Sequence, residues 1–509
     1  MRIMKNILLI ILSSCLFLVS GCGDDFLEVT DENSLVTVSV FENYGTSVEA
    51  INAAYTPLKE VDLYGDQIHF FFHQITHEYD LLFQGDDGWN QMKTFALTPI
   101  NQTLDAAWNG LGKIILRSNS VIEGLEGLET SGDFTEEQKN ELVGQAYFLR
   151  GFAFFLGVRM FGEQPVSVDG SVRGFPLITS VPSNREATLV SRASVDSVYQ
   201  QIILDFEVAE TLLPESWTGN DLGRATKGAA SAYLGKVYLY QEEWPKAIEY
   251  FEKIINNASY RLLDNFADNF NGEAENGSES IFELQFSKES PLGAFNGGPG
   301  HVYATRHAPS DLEGFGNVSV PLSSFDRLKD DPRVGATLIR PGDFIPFIDA
   351  VYVGTGAEDY RPRKFVDINS SQQNTTFGQT FNGFINMPIM RLADVYLMYA
   401  EAQNENGGTT VALEYVNKVR RRAYGEPIDV PSVIADIAVA GGAPLLTAIQ
   451  EERYIELFGE CHRWFDLLRW ELADDVLGSR GFITGTHEAM PIPIDEIQLN
   501  TVIRQNDGY

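Results

Sequence analysis

His69, His73 and His77 stand four residues apart, with Glu78 beside the last. On a helix this spacing puts three imidazoles in one row, and two of them could hold zinc. No His-Glu-x-x-His occurs, so the metalloprotease pattern is absent. Phe70, Phe71 and Phe72 fill the gap between the first two histidines. That reads as a mostly buried turn of helix with packed, hydrogen-bonded imidazoles, and no metal is assigned to it. A second charged run is Glu451, Glu452, Arg453, Glu456, Glu460, Arg463, Asp466 and Arg469. Paired carboxylates could serve glycoside hydrolysis. The spacing instead predicts i,i+3 and i,i+4 ion pairing along a helix, as for Glu456 and Glu460 with Arg463 beside them. No Gly-x-Ser-x-Gly, Walker loop, dinucleotide fingerprint or Cys/His metal framework appears. The expectation is a protein that is not an enzyme and carries no cofactor.

Aromatic residues in loop-like segments are the remaining chemistry. Sugars offer flat C–H faces to rings, and their hydroxyls need amide, carboxylate or guanidinium partners. Tyr79, Phe83 and Trp89 lie near Asp86, Asp87 and Asn90. His301, Tyr303, Arg306 and Phe315 share a Gly-rich stretch, and Tyr352 and Tyr360 flank Gly354-Thr355-Gly356. Large aromatics mostly bury, so a core role competes for each. Trp89 stands out, because Gly85-Asp86-Asp87-Gly88 before it reads as an exposed loop.

The elements that hold these segments are helical. Patterns at about 46–59, 103–127, 135–162 and 194–213 predict helices, the third opening on a Thr135-x-x-Gln138 capping box. Residues 226–256 read as two helices with a break at Trp244-Pro245. Leu234-Gly235-x-x-Tyr238 followed by Ala247-x-x-x-Phe251 has tetratricopeptide spacing, and 392–423 carries a degenerate copy with Ala400, Ala412 and Val416. Further pairs are expected among 103–213, since such stacks need about three to be stable. Residues 60–100 and 264–390 are rich in Gly, Pro, Asn, Asp and aromatics, with strand-like pieces at 281–286 and 350–353. Loops on a rigid helical frame are where binding residues gather.

The chain opens with Arg2 and Lys5, an apolar run from Ile7 to Val19, then Ser20-Gly21-Cys22. That is a secretory leader, too short for a comfortable membrane span, with a cysteine at the cleavage point in the manner of a bacterial lipobox. Cys22 is the expected lipid-bearing residue. Net charge is −34 at pH 7, and loss of the leader removes two cations and no acid. So acidic a surface repels nucleic acid and anionic membrane surfaces. Of three cysteines, Cys15 leaves with the leader and Cys22 takes lipid. Cys461 is left alone, so no internal disulfide is expected, and it reads as a small core residue.

The most specific pattern is C-terminal: Met390-Arg391-Leu392-Ala393-Asp394-Val395-Tyr396, Ile449-x-x-Glu452-Arg453-x-x-Glu456-Leu457, Arg463-Trp464-Phe465-Asp466-Leu467-x-Arg469-Trp470 and Pro491-Ile492-Pro493. Asp25-Phe26-Leu27-Glu28, Trp108 with Asn119, Leu149-Arg150 and Gly223-x-Ala225-Thr226 agree with it. Together they resemble the SusD/RagB family of outer-membrane nutrient-binding lipoproteins of the Bacteroidetes group. Cys461 departs from the pattern, where the family usually has Gly. The resemblance implies a mostly α fold of about four tetratricopeptide-like helix pairs, with an irregular second lobe of loops and short strands. It implies a lid on a SusC-like TonB-dependent transporter that binds a poly- or oligosaccharide for import, held to the outer membrane at the cell surface by lipid. Asp24 and Asp25 resemble the group's surface-export signal. The alternatives are a peptide-binding lid on the same fold and a helical scaffold without a small ligand.

The expected divisions are a leader at 1–21, a tether at 22–45, and a helical-repeat region at 46–263 with a ligand-loop insertion near 60–100. An irregular lobe at 264–390 and a C-terminal helical region at 391–509, packing back on the repeats, complete the chain.

Overall fold

A computed structural model describes residues 40–83, 85, 87–130, 132–163, 172–289, 294, 297–369 and 383–509. The leader, Cys22, most of the tether and Asp86 lie outside the described residues. The helices of the N-terminal half are α1 (Tyr44–Lys59), α2 (Gln67–Ile75), α3 (Asp87–Thr94), α4 (Gln102–Leu125), α5 (Glu136–Phe161), α6 (Val195–Leu212), α7 (Lys227–Tyr240) and α8 (Trp244–Ile255). Three short ones, α9 (Tyr303–His307), α10 (Leu322–Leu328) and α11 (Val334–Thr337), lie in the irregular lobe. The chain closes with α12 (Leu392–Glu405), α13 (Thr409–Ala423), α14 (Ala443–Glu456), α15 (Arg463–Arg469), α16 (Ala473–Leu477) and α17 (Ile494–Leu499). None of the described helices is long and apolar enough to cross a membrane.

The long helices form one continuous stack. Helix α1 packs on α4, α4 on α5, α5 on α6, α6 on α7 and α7 on α8; α8 then meets α12, and α12 meets α13 and α14. Helix α5 is its axis. The capping box is present at its start, with Thr135 accepting from Gln138 N–H and the Gln138 side chain accepting from Thr135 N–H. From Phe148 to Phe161 every residue is buried, as expected of a helix enclosed on all sides. Its two buried arginines are matched. Arg150 donates to both oxygens of Asp205 on α6, at 3.0 and 2.7 Å, and to Asn119 of α4. Arg159 lies between the rings of Phe155 and Phe465, 3.9 and 4.1 Å from their centroids.

The repeat spacing has a physical counterpart at the α7–α8 crossing. A Cβ on Gly235 would sit 2.6 Å from the Phe251 ring, so the missing side chain is what lets the two helices touch. Ala247, Phe251, Ala400, Ala412 and Val416 are all fully buried.

Between α8 and α12 the chain leaves the stack. Strands β4 (Ser280–Leu284) and β10 (Met387–Arg391) pair antiparallel at the exit and return, Met387 opposite Leu284. Among its described residues the lobe between them holds two-residue strands: β5 (Val318–Ser319) pairs with β1 (Asp80–Leu81) from the segment after α2, β6 (Leu338–Ile339) with β9 (Arg361–Pro362), and β7 (Phe344–Ile345) with β8 (Ala350–Val351), while β2 (Arg173–Pro176) and β3 (Arg192–Ser194) pair just before α6. Near the C-terminus, Asn506 donates to the carbonyls of Phe161 and Met490, so the tail packs back on the end of α5.

Two charge-bearing stretches differ from their sequence expectation. The three-histidine row stops at His73, because α2 ends at Ile75 and His77 has φ +63°. The Glu451–Arg469 run is not one helix: α14 ends at Glu456 and a turn through Gly459 and Cys461 leads to α15. Its ion pairs are structural, as expected, yet most partners come from across the fold. Glu456 is gripped by Arg333, Arg391 and Arg422; Glu460 by Arg391 and Lys364; Arg453 by Asp394 and Asp466. All of these side chains are buried or nearly so. Burial alone would raise the Glu456 carboxyl, but the three guanidiniums outweigh it and hold the group far below the usual carboxylate range. Such a network tolerates no missing member, and it fastens the irregular lobe to the C-terminal helices.

Candidate functional site

Strand β1 brings the segment after α2 against the irregular lobe, with Asp80 opposite Ser319 and Leu81 opposite Val318. The N–H groups of Leu82 and Phe83 then both reach the Asn317 carbonyl, at 2.8 and 3.4 Å. This fixes Phe83 at the lip of the lobe, 49 % exposed. Gly85 has no Cβ to strike the Phe83 ring, which would lie 2.6 Å away. Phe315 is held by a separate set of main-chain bonds. Its N–H donates to Thr305 O at 2.7 Å, and the N–H groups of Gly316 and Asn317 donate to Ala308 and Arg306 carbonyls. The segment thus folds back along α9 and leaves Phe315 43 % exposed.

Trp89 corrects the sequence reading. Asp87–Thr94 is a helix, and the indole is only 9 % exposed. Its ring packs 4.5 Å from Phe70 and 5.7 Å from Phe83, with the Arg306 guanidinium 4.6 Å above it. Arg306 is itself tied to buried Asp66 by two bonds of 2.5 and 2.6 Å. Burial pushes the Asp66 carboxyl up, and Arg306 pulls it part of the way back. The Trp89–Arg306–Asp66 column is therefore a floor beneath the Phe83 ring. Asp87 is exposed and Asn90 half-buried at its edge.

The other aromatic candidates are core. Tyr79 is fully buried, edge-on to His73 and Phe458. His301 is buried against Phe286, pairs with Gly383 through the main chain, and is pushed down to about 3 by burial, so it is neutral. Tyr303 stacks on His307 at 3.8 Å. Tyr352 donates to Asp359, and Tyr360 stacks on Phe325 at 3.7 Å. Their loop contributes indirectly, since Arg361 donates to the Gly316 and Val318 carbonyls behind Phe315.

A second feature escaped the sequence reading. A cleft of about 560 Å³ is lined by Phe270, Asn271, Phe344, Arg363, Asp367 and Asn369 among others. Phe344, 56 % exposed, faces Val351 across the β7–β8 hairpin. Only the alternation of Phe344 and Val351 about a tight turn could have signalled it. The cleft is mainly polar and shares no lining residue with the Phe83–Phe315 rim.

A family model described as "SusD family" matches residues 349–509, and one described as "Starch-binding associating with outer membrane" matches 25–239. The chain is 26 % identical to SusD-like protein P25 of Formosa agariphila, over 97 % of each chain. It is 23 % identical to the starch-binding protein SusD of Bacteroides thetaiotaomicron, over 82 % of this chain and 81 % of that one. Among solved structures, a laminarin-binding SusD-like protein matches with a TM-score of 0.76 at 26 % identity, covering 91 % of this chain and 99 % of the other. With one family model on each end of the helical stack and relatives that match along nearly the whole length, the chain belongs to the SusD/RagB family.

Proposed function

We propose that the protein is a cell-surface glycan-binding lipoprotein, without catalytic activity, that captures oligosaccharides and passes them to a SusC-like TonB-dependent transporter. The observation that carries this reading is a pair of exposed rings, Phe83 and Phe315, on two segments joined where the Leu82 and Phe83 N–H groups reach the Asn317 carbonyl. An exposed aromatic face is where a sugar's C–H face stacks, and Asp87 and Asn90 on the neighbouring α3 offer polar groups for its hydroxyls. The laminarin-binding and starch-binding relatives support a carbohydrate ligand. The family description "associating with outer membrane" and the lipobox cysteine support a lipid-held place on that membrane. In this reading residues 46–263 and 391–509 form the frame, and 264–390 with the insertion near 60–100 form the ligand face.

The test is a binding screen of the mature chain against starch, laminarin, other oligosaccharides and peptides, repeated with Phe83→Ala and Phe315→Ala. Saturable carbohydrate binding that both substitutions weaken is expected. Binding of peptides alone would transfer the reading to a peptide lid, and co-purification without a barrel partner would remove the transporter.

A further inference from the structure

Helix α2 carries His69 and His73 one turn apart and faces the turn that links α14 to α15. That turn places Cys461 against both histidines. Its Sγ lies 3.0 Å from His69 Nδ1 and 3.6 Å from His73 Nε2, and the three atoms lie within 4.8 Å of one another. From the usual zinc–ligand bond lengths, a tetrahedral ion spaces a sulfur and an imidazole nitrogen about 3.6 Å apart. One of the two contacts already has that length. The other is the length of a thiol–imidazole hydrogen bond and needs to open by roughly half an ångström.

Three further observations point the same way. Cys461 has φ +63°, a left-handed conformation that a non-glycine residue rarely adopts, and it is this backbone that aims Sγ at the histidines. The thiol hydrogen can serve one imidazole nitrogen, and the sulfur is only a weak acceptor for an N–H of the other, so hydrogen bonding satisfies the cluster poorly. Finally, His307 lies next to His73, with ring centroids 5.6 Å apart. Its Nδ1 donates to the Tyr303 carbonyl, which leaves Nε2 as a bare buried acceptor with no partner among the described residues. A carbonyl behind an imidazole is how metal-binding histidines are commonly oriented.

We propose that His69 Nδ1, His73 Nε2 and Cys461 Sγ form a buried structural site for a zinc-class divalent ion, with the His307 ring beside His73 as a further nitrogen donor. Two imidazoles and a thiolate are the donor set that borderline metals of this kind prefer. Binding breaks the S–H bond, forms the metal–sulfur bond and releases the thiol proton to water. The groups are prepared for this unequally. Burial holds His69 down to about 3 and His73 well below its ordinary value, so both imidazoles are neutral with lone pairs available. Burial also pushes the Cys461 thiol up, so the ion itself must displace its proton. Sequence spacing could not signal the site, because the third donor, Cys461, arrives from almost the other end of the chain.

The experiment uses the full chain, produced once in medium with added zinc and once with added cobalt, so that the ion is present during folding. About one metal per chain, retained through gel filtration, is expected, with a thiolate-to-cobalt charge-transfer band in the near ultraviolet. Cys461→Gly, which suits the left-handed backbone and so should still fold, is expected to lose both while melting as a folded protein. His73→Gln is expected to lose the band as well. An intact chain that emerges free of metal in both media overturns the proposal. So does metal retained without the thiolate band, or metal retained by Cys461→Gly.

Discussion

The Phe83 ring meets the Trp89 indole nearly edge-on, with 5.7 Å between centroids, and of the two only Phe83 is open to solvent. On the proposed reading one ring touches a ligand and the other supports it. Phe83→Ala should weaken oligosaccharide binding about two- to tenfold, the equivalent of roughly 0.5–1.5 kcal/mol for one ring stack, with little change in melting temperature. Trp89→Ala should instead lower stability by about 3–5 kcal/mol, because it empties a buried site beneath Phe70 and Arg306. Binding titrations paired with thermal melts separate the two outcomes.

Gly235→Leu tests the helix crossing. The new side chain has no room beside Phe251, and overpacking of this kind costs roughly 1–3 kcal/mol or more. A melt unchanged within error would mean that the crossing is looser than the geometry indicates.

Glu456 gives the pH behaviour. Its folded-state carboxyl lies far below the ordinary 4.5, so its contribution to stability is complete above that value and is lost as the pH falls through the folded-state value. Asp394, held down by Lys236, His462 and Arg453, acts in the same direction. Denaturant titrations should therefore show stability dropping below about pH 4.5. Glu456→Gln should cost about 3–5 kcal/mol at pH 7, since it strands buried guanidiniums, and should flatten the acid limb. Glu451→Gln, which breaks only an exposed pair with Arg327, should change stability by less than about 1 kcal/mol.

Cys22→Ala should release the protein from the membrane fraction without lowering its melting temperature. Fractionation belongs in cells that lack the partner barrel, where protein contacts cannot mask the loss of lipid.

The helical frame was legible because its signals are local. The Thr135–Gln138 cap, the Trp244-Pro245 break and the Gly235–Phe251 spacing each lie within a few turns, and each has its counterpart in the structure. The proposed ligand face was legible only as a set of segments. Strand β1 has two residues and owes its existence to β5, far along the chain, so no window of sequence could show which rings remain open. Trp89 illustrates the failure. Two glycines and two aspartates read as a turn, yet a helix starts at Asp87, and Phe70 and Arg306 cover the indole. The charged run failed in the same way. Its residue types announced ion pairing, but Arg333, Lys364 and Arg391 approach from elements that only the fold brings near.

The stack's detour between α8 and α12 also bears on how the protein is made. The apolar face of α8, with Ala247, Phe251 and Ile254, gains its second neighbour only after the entire irregular lobe has emerged. A chain delivered from its N-terminus must carry a half-built solenoid, open at one end, until Met387–Arg391 reaches β4. Contacts of such long sequence separation slow folding and lengthen exposure of sticky surface. Completion of the helical frame thus waits on the irregular lobe, whose length sets when α8 can meet α12.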